Sequence, residues 1–247
     1  MSELDFDFDS VFGDDYLHFY QGVLTDEASD HQVVVIKLLA DVGKGARVLD
    51  CPYGHGRIAN RLAALGAEVV GVDANQRFLE VARSAGTAVD YRLGDMRELE
   101  FEAEFDLVVN VFTSFGYFDD DTNRNVLARF QRALKPAGRL LIETLNANRI
   151  MSIIAGAGGQ SISMLERGDD LLIDKNGYDI ASGRTVTERI SVRDGRVRRH
   201  PFSVRLFSPA ELASWLREAG FAAIEVFDQD GKPFTLAARR MWVVATV

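Results

Sequence analysis

Between residues 46 and 145, short apolar, β-branched runs alternate with stretches in which apolar residues recur every three or four positions. That is the pattern of a parallel sheet covered by helices on both faces. Residues 46–50 (ARVLD) predict a buried strand, and 55–65 a helix with Ile58, Leu62 and Leu65 on one face and Gly66 at its C-cap. The reading continues with strand 68–72, helix 75–84, strands 88–92 and 105–110, helix 122–134 stopped by Lys135-Pro136-Ala137-Gly138, and strand 139–144. Ser208-Pro209-Ala210-Glu211 supplies an N-cap, a first-turn proline and a capping-box glutamate for a helix to Gly220, followed by strands 221–227 and 241–247. The fold class is α/β, with a doubly wound parallel sheet.

Two stretches depart from this rhythm. Residues 146–207 begin with an apolar, glycine-rich segment (IIAGAGG) and continue as alternating strands at about 171–174, 184–193 and 196–207, with Asp194-Gly195 as a hairpin turn. They read as an inserted antiparallel β segment that folds over the edge or carboxyl end of the main sheet. Residues 1–40 hold an acidic, aromatic stretch with Tyr16, His18, Phe19 and Tyr20, then a helix over 26–39. The main domain is expected over 41–247, with 146–207 its inserted cap.

Composition narrows the partners. The chain has 247 residues and a net charge of -9, and residues 1–30 hold nine acids and no Lys or Arg. Residues 31–247 are balanced at 28 acids against 28 bases, which argues against generic nucleic-acid or anionic-membrane binding and for a small-molecule partner. One cysteine, Cys51, excludes an internal disulfide and a thiolate cluster, and the four histidines (18, 31, 55 and 200) have no ligand spacing, so no metal is expected. The apolar runs, such as 33–40 interrupted by Lys37, are too short to span a bilayer, and the expected location is cytoplasmic.

The chemistry centres on Asp50-Cys51-Pro52-Tyr53-Gly54-His55-Gly56-Arg57-Ile58-Ala59, directly after the first strand. Gly54 and Gly56 let backbone approach a ligand at a helix N-terminus. The G-x-G-x-x-A spacing also fits a dinucleotide fingerprint, which keeps an NAD-dependent oxidoreductase open. Against it, an acid closes the strand: Asp50 suits a ligand with an ammonium group, which S-adenosylmethionine carries. A protein that binds this cofactor without moving its methyl group is a further alternative.

Here the chain resembles the class I S-adenosylmethionine-dependent methyltransferases, over roughly residues 46–145 and the closing strands. VLDCPYGHG looks like the family's glycine motif, GVDAN its ribose motif, GDMREL its adenine motif, LKPAGRLLIET the segment entering the fifth strand, and MWVVATV the last strand. The resemblance implies a seven-stranded, mostly parallel sheet with an antiparallel last strand, and S-adenosylmethionine as cofactor. Asp50 would meet the ammonium, Asp73 the ribose hydroxyls, Asp95 the adenine amine and Met96 the ring. The remaining implied cofactor contacts are Tyr20, Pro52, Gly54, Gly56, Arg57, Ala74, Asn110 and Phe112. Asp73 has a plainer reading as the cap of the next helix. Tyr53 stands where the family usually has a small residue or Cys, which would reshape the loop.

After the fourth strand the chain reads Asn110-Val111-Phe112-Thr113-Ser114-Phe115-Gly116-Tyr117-Phe118, without the Asn/Asp-Pro-Pro-aromatic motif of nucleobase and amide N-methyltransferases. Asn110 also replaces the Asp of metal-dependent O-methyltransferases. TSFGYF, the aromatic N-terminus and the late insertion are similar to glycine and amino-sugar N-methyltransferases, which implies methyl transfer to a nitrogen or oxygen of a small acceptor. By the same resemblance residues 1–40 form a lid. The catalytic candidates are Tyr16, His18 as a base, and Tyr20. Tyr117 and Phe118 are expected to line the acceptor pocket, and Arg205, in the apolar run FSVRLF, to pair with an acceptor carboxylate or phosphate. Arg184, Arg189, Arg193, Arg196, Arg198 and Arg199 read as a solvated hairpin face, and the exposed alternation over 184–207 would suit a homodimer.

Overall fold

The computed structural model describes residues 8–247; the acidic positions Glu3, Asp5 and Asp7 lie outside the described residues. Three N-terminal helices, α1 (Phe8–Val11), α2 (Asp14–Tyr20) and α3 (Asp26–Ala40), lead into the α/β core. The core runs β1 (Arg47–Asp50), α4 (Arg57–Ala64), β2 (Glu68–Asp73), α5 (Gln76–Ser84), β3 (Asp90–Leu93), a 3-10 turn (Met96–Glu98), β4 (Phe105–Asn110), α6 (Asp120–Ala133) and β5 (Leu134–Leu145). It closes with α8 (Pro209–Glu218), β10 (Ala223–Asp228) and β11 (Arg240–Thr246). Between β5 and α8 lie α7 (Ala147–Gly156) and the strands β6 (Ser161–Arg167), β7 (Asp170–Asp179), β8 (Arg184–Arg193) and β9 (Arg196–Arg205).

The main sheet has seven strands in the order β10-β11-β5-β4-β1-β2-β3. β1 to β5 are parallel, and β11 lies antiparallel between β5 and β10. Side-chain alternation along each strand divides the core in two. Leu49, Val108, Leu140, Ile142 and Val243 face α6 and α8, whereas Val48, Leu107, Val109, Leu141 and Trp242 face α3, α4 and α5. Strand order reverses between β1 and β4, so their carboxyl ends diverge and open a crevice there.

Caps explain most helix starts. Thr25, Asn75, Asp119, Asn146 and Ser208 each accept a backbone N–H with their side chain at the head of α3, α5, α6, α7 and α8. The structure departs from expectation where glycine and proline mislead. β5 begins at Leu134, the last residue of the expected helix, and runs through the expected stop: Leu134 pairs with Phe105, and the register shifts before Arg139 pairs with Leu107. The glycine-rich segment begins as the C-terminal end of α7, whose Ala147, Ile150 and Ile154 share one face. The insertion is a four-stranded antiparallel sheet, β6-β7-β8-β9, rather than three strands, and β7 spans ten residues where four were expected.

Candidate active site

The carboxyl ends of β1, β2 and β4 and the loop after β3 open into one cavity of about 440 Å³, roofed by the N-terminal helices and the inserted sheet. At its floor Asp73 receives two backbone N–H groups, Gly54 on Oδ2 at 2.8 Å and Asn75 on Oδ1 at 2.9 Å. Burial pushes its carboxyl up to about 6 against those two hydrogen bonds. Asn75, not Asp73, caps α5 through its side chain. Asp50 is 2% exposed, and its Oδ2 has no hydrogen-bond partner. Burial raises its carboxyl to about 8; Arg57 pulls it down and Asp73 pushes it up.

The loop accommodates Tyr53 because two neighbours lack side chains. A Cβ on Gly71 would lie 2.8 Å from the Tyr53 ring and 2.9 Å from that of Tyr91, and the two rings pack 4.8 Å apart. Gly56, at φ 84°, starts α4 under the Tyr91 hydroxyl and gives its N–H to the Tyr53 carbonyl at 3.0 Å. It therefore braces the loop from behind and does not line the cavity. Pro52, Gly54, Arg57, Ala74, Met96 and Phe112 do line it. Asp95, also on the wall, is held by Arg97 at 2.6 Å. Burial alone would raise the Asp95 carboxyl, but the hydrogen bonds from Arg97 hold it below its ordinary value.

Asn110 was expected on the cofactor and is corrected. It is fully buried and donates from Nδ2 to the Cys51 carbonyl at 2.9 Å, tying the end of β4 to the end of β1 behind the cavity. The next residues are what face inward. Phe112 and Thr113 both adopt left-handed backbone, φ 65° and 61°, a costly conformation for such side chains. Glu143 of β5 secures both, accepting the Phe112 N–H on Oε2 at 2.6 Å and the Thr113 N–H on its carbonyl at 2.9 Å. Arg240 completes the clamp, donating from Nε and Nη2 to the Glu143 carboxylate and from Nη2 to Thr113 Oγ1 at 2.7 Å.

On the roof, Phe8, Phe12, Tyr16 and Tyr20 recur every fourth residue and turn one aromatic face to the cavity. Tyr16 and Tyr20 stack at 4.3 Å, Phe12 meets Tyr117 at 5.4 Å, and Phe8 meets Phe118 at 5.7 Å. Burial pushes the Tyr16 and Tyr117 hydroxyls well above their ordinary range. The inserted sheet adds a wall of alternate residues: Ser161 and Ser163, Asp174 and Asn176, Thr185, Thr187 and Arg189, Phe202 and Val204. Arg189 is buried, grips Asp174 at 2.8 and 2.7 Å, and donates to the Tyr20 hydroxyl at 2.9 Å.

Several expectations for charged residues are overturned. His18 does not line the cavity; its Nε2 lies 2.8 Å from Asp170 and its carbonyl accepts from Arg167. Arg205 is also away from the cavity. It is 8% exposed and spends its guanidinium on Glu211 and the carbonyls of Gly183 and Leu206. Nor is the hairpin's arginine row uniformly solvated: Arg189 is internal, Arg184 donates to the Phe118 carbonyl, and Arg193 and Arg198 bind Asp15 of α2. The sequence reading missed Glu143 and Arg240, although a carboxylate inside the apolar run RLLIET is itself a signal that a buried charge needs a partner.

The donor set fits S-adenosylmethionine. An orphaned buried carboxylate oxygen on Asp50 matches an ammonium, and Asp73 retains lone pairs for two hydroxyls.

Residues 48–138 match a family described as a methyltransferase domain. A ubiquinone biosynthesis O-methyltransferase from Xanthomonas euvesicatoria pv. vesicatoria is 28% identical over 202 residues, covering 79% of this chain and 70% of the relative. The CcbJ methyltransferase of Streptomyces caelestis superposes with a TM-score of 0.73 at 21% identity, over 89% of this chain and 94% of that one. The S-adenosylmethionine-bound amino pentose methyltransferase CalS10 from Micromonospora echinaspora gives a TM-score of 0.65 at 20% identity, over 94% and 95%. The chain carries a methyltransferase domain and is an S-adenosylmethionine-dependent methyltransferase. The oxidoreductase alternative is thereby set aside.

Proposed function

We propose that this enzyme methylates a nitrogen of a small acceptor held between the inserted sheet and the aromatic face of the N-terminal helices. The observation that carries this reading is the continuity of the cavity, from the carboxyl ends of the parallel strands to the hydroxyl-bearing wall of β6 to β9. Asp50, Asp73 and the segment from Gly94 to Met96 would hold the cofactor, and Tyr16, Tyr20 and Phe112 would close over its reactive end. Bound there, S-adenosylmethionine supplies an electrophilic methyl group on a good leaving group. The chain's own contribution is alignment and exclusion of water.

Nitrogen is favoured over oxygen by the state of the titratable groups. Asp174 and Glu143 are each committed to an arginine. Burial, with Arg57 and Arg61 nearby, lowers His55 to about 4, so it is a weak base. A hydroxyl acceptor needs a tuned base, whereas a neutral amine attacks with its own lone pair. Tyr20, its oxygen occupied by Arg189, has its proton free to donate to the acceptor and fix its orientation.

The residues 8–40 act as a lid in this reading, supported by the Asp15 contacts to β8 and β9. The single cysteine is a buried free thiol, which suits a reducing compartment, and we infer a cytoplasmic location.

The test is a mass-spectrometric screen of the purified enzyme with S-adenosylmethionine against paired acceptors that differ only in amine or hydroxyl. Methylated amines support the reading; products confined to hydroxyls overturn it.

A further inference from the structure

We propose that Arg189 of the inserted sheet is the positioning residue for Tyr20: it fixes the hydroxyl of that tyrosine beside Phe112, and Asp174 acts only by fixing Arg189. The inference rests on the reading above, in which Tyr20 and Phe112 close over the reactive end of the cofactor. It holds whether the accepting atom is nitrogen or oxygen.

Asp174 and Arg189 stand directly opposite each other on β7 and β8, and both line the cavity. Arg189 is 5% exposed. Its guanidinium meets the carboxylate side-on, Nε to Oδ1 at 2.8 Å and Nη2 to Oδ2 at 2.7 Å, which leaves the second Nη2 hydrogen for the Tyr20 oxygen at 2.9 Å. The guanidinium carbon lies 5.0 Å from the Phe202 centroid and 5.5 Å from that of Tyr20. Among the described residues Arg189 is the one polar partner of the Tyr20 hydroxyl. The other ties of Tyr20 are ring contacts: it stacks on Tyr16 at 4.3 Å and meets Phe112 edge-on at 6.1 Å. A stack fixes the plane of a ring and not the direction of its hydroxyl, so that direction falls to Arg189.

A buried ion pair is a weak fastening for two strands. Desolvation of both charges offsets most of their attraction, and an apolar pair of similar volume would pack β7 on β8 as well. An apolar pair cannot donate a third hydrogen bond at a fixed angle, which a planar guanidinium does once its other edge is locked on a carboxylate. The helix that carries Tyr20 is held independently of Arg189. Asp15 binds Arg193 and Arg198, and the His18 carbonyl accepts from Arg167. Loss of Arg189 therefore releases the Tyr20 side chain while α2 keeps its seat on the inserted sheet.

The experiment is fluorine NMR of the meta-fluorotyrosine-labelled protein saturated with S-adenosylhomocysteine, on the parent, the double variant Asp174→Leu/Arg189→Met and Arg189→Lys, with Tyr20→Phe assigning the resonance. The double variant removes both charges, so that neither is left uncompensated; Arg189→Lys keeps Asp174 neutralised and loses only the fork. Both are expected to move the Tyr20 resonance toward its position in the unfolded protein, with those of Tyr53 and Tyr91 and the hydrogen exchange of residues 14–20 unchanged. With the methylated member of the amine and hydroxyl pairs above as acceptor, kcat is expected to fall roughly tenfold or more at unchanged KM. In a Tyr20→Phe background neither change costs anything further, because its effect runs through that hydroxyl. The proposal is overturned if the Tyr20 resonance keeps its parent position in the double variant, or in Arg189→Lys should the double variant not fold. It is also overturned if KM rises at unchanged kcat, which would make Arg189 a direct acceptor contact, or if the losses add to that of Tyr20→Phe. The NMR measurement needs no acceptor and decides alone if none is methylated. Failure of the folded parent to bind S-adenosylhomocysteine is a separate result, in which the cofactor reading fails and the proposal falls with it.

Discussion

Glu143 and Phe112 are joined at 2.6 Å by a carboxylate accepting a backbone N–H across two neighbouring strands. A fully buried residue of β5 thereby dictates the left-handed backbone of the loop that faces the cavity. The same carboxylate neutralises Arg240, so one side chain sets both loop geometry and local charge.

Glu143→Ala is expected to destabilise the protein by about 2–4 kcal/mol, because Arg240, 21% exposed, is left as a partly buried cation without its partner. Glu143→Gln keeps the acceptor for the Phe112 N–H and is expected to cost less. Chemical denaturation of the two variants checks the order; equal losses would mean that charge, not loop anchoring, decides.

Cofactor affinity is expected to rise with pH. Asp50 titrates at about 8 in the free protein, chiefly through burial, whereas pairing with an ammonium needs the carboxylate. Below that value binding releases a proton, and affinity falls by roughly tenfold for each pH unit. Calorimetry in buffers of different ionisation enthalpy measures the released proton directly.

The same group makes a stability prediction of opposite sense. A carboxyl raised from 3.8 to about 8 on folding is more acidic in the unfolded chain, so the unfolded state is favoured progressively as pH rises from about 4 through 8. Asp50→Asn removes that penalty. Its melting temperature without ligand is expected to exceed that of the parent at pH 9 and to gain nothing from added cofactor. A lower melting temperature there would refute the burial of an ionisable Asp50.

Asp15 bonds Ser191 at 2.7 Å, Arg198 at 3.0 Å and Arg193 at 3.1 Å, drawing α2 onto the inserted sheet. These contacts, from Ser191 and Arg193 first, outweigh burial and hold its carboxyl below the ordinary range. Asp15→Asn is expected to leave global stability within about 1 kcal/mol, since the pairs are partly solvated. It should nevertheless speed hydrogen exchange over residues 14–20 and raise KM. Unchanged exchange would mean that aromatic packing alone holds the helix.

Gly71→Ala places a methyl group against the rings of Tyr53 and Tyr91 and is expected to cost about 1–3 kcal/mol. Adding Tyr53→Ser should restore part of the loss; no recovery would assign the strain to Tyr91.

The central sheet was legible because burial of alternate residues on two faces imposes a strong period on β1, β2 and β4, and because Asp50, Asp73 and Asp95 fall at strand ends, where acids stand out against apolar runs. The inserted sheet was only partly legible. β6 is an edge strand with Ile162 and Met164 exposed, and its mixed pattern resembles a loop. Arg189 and Arg205 look alike in sequence, and only the packing shows one in the cavity wall and the other consumed by Glu211. Arg240 opens β11 with no marker of its own, because its partner Glu143 is 97 residues away. His18 misled because an aromatic neighbourhood says nothing about which way a helix turns its imidazole.

The inserted sheet leaves the core after α7 and returns at Arg205, whose N–H binds the Gly116 carbonyl at 2.8 Å. Alternate residues of its strands line the cavity, while the floor of the cavity comes from residues 50 to 114. Selection for a new acceptor can rewrite alternate positions of β6 to β9 and leave the transfer chemistry intact, which makes this segment the natural unit for recombination between related enzymes.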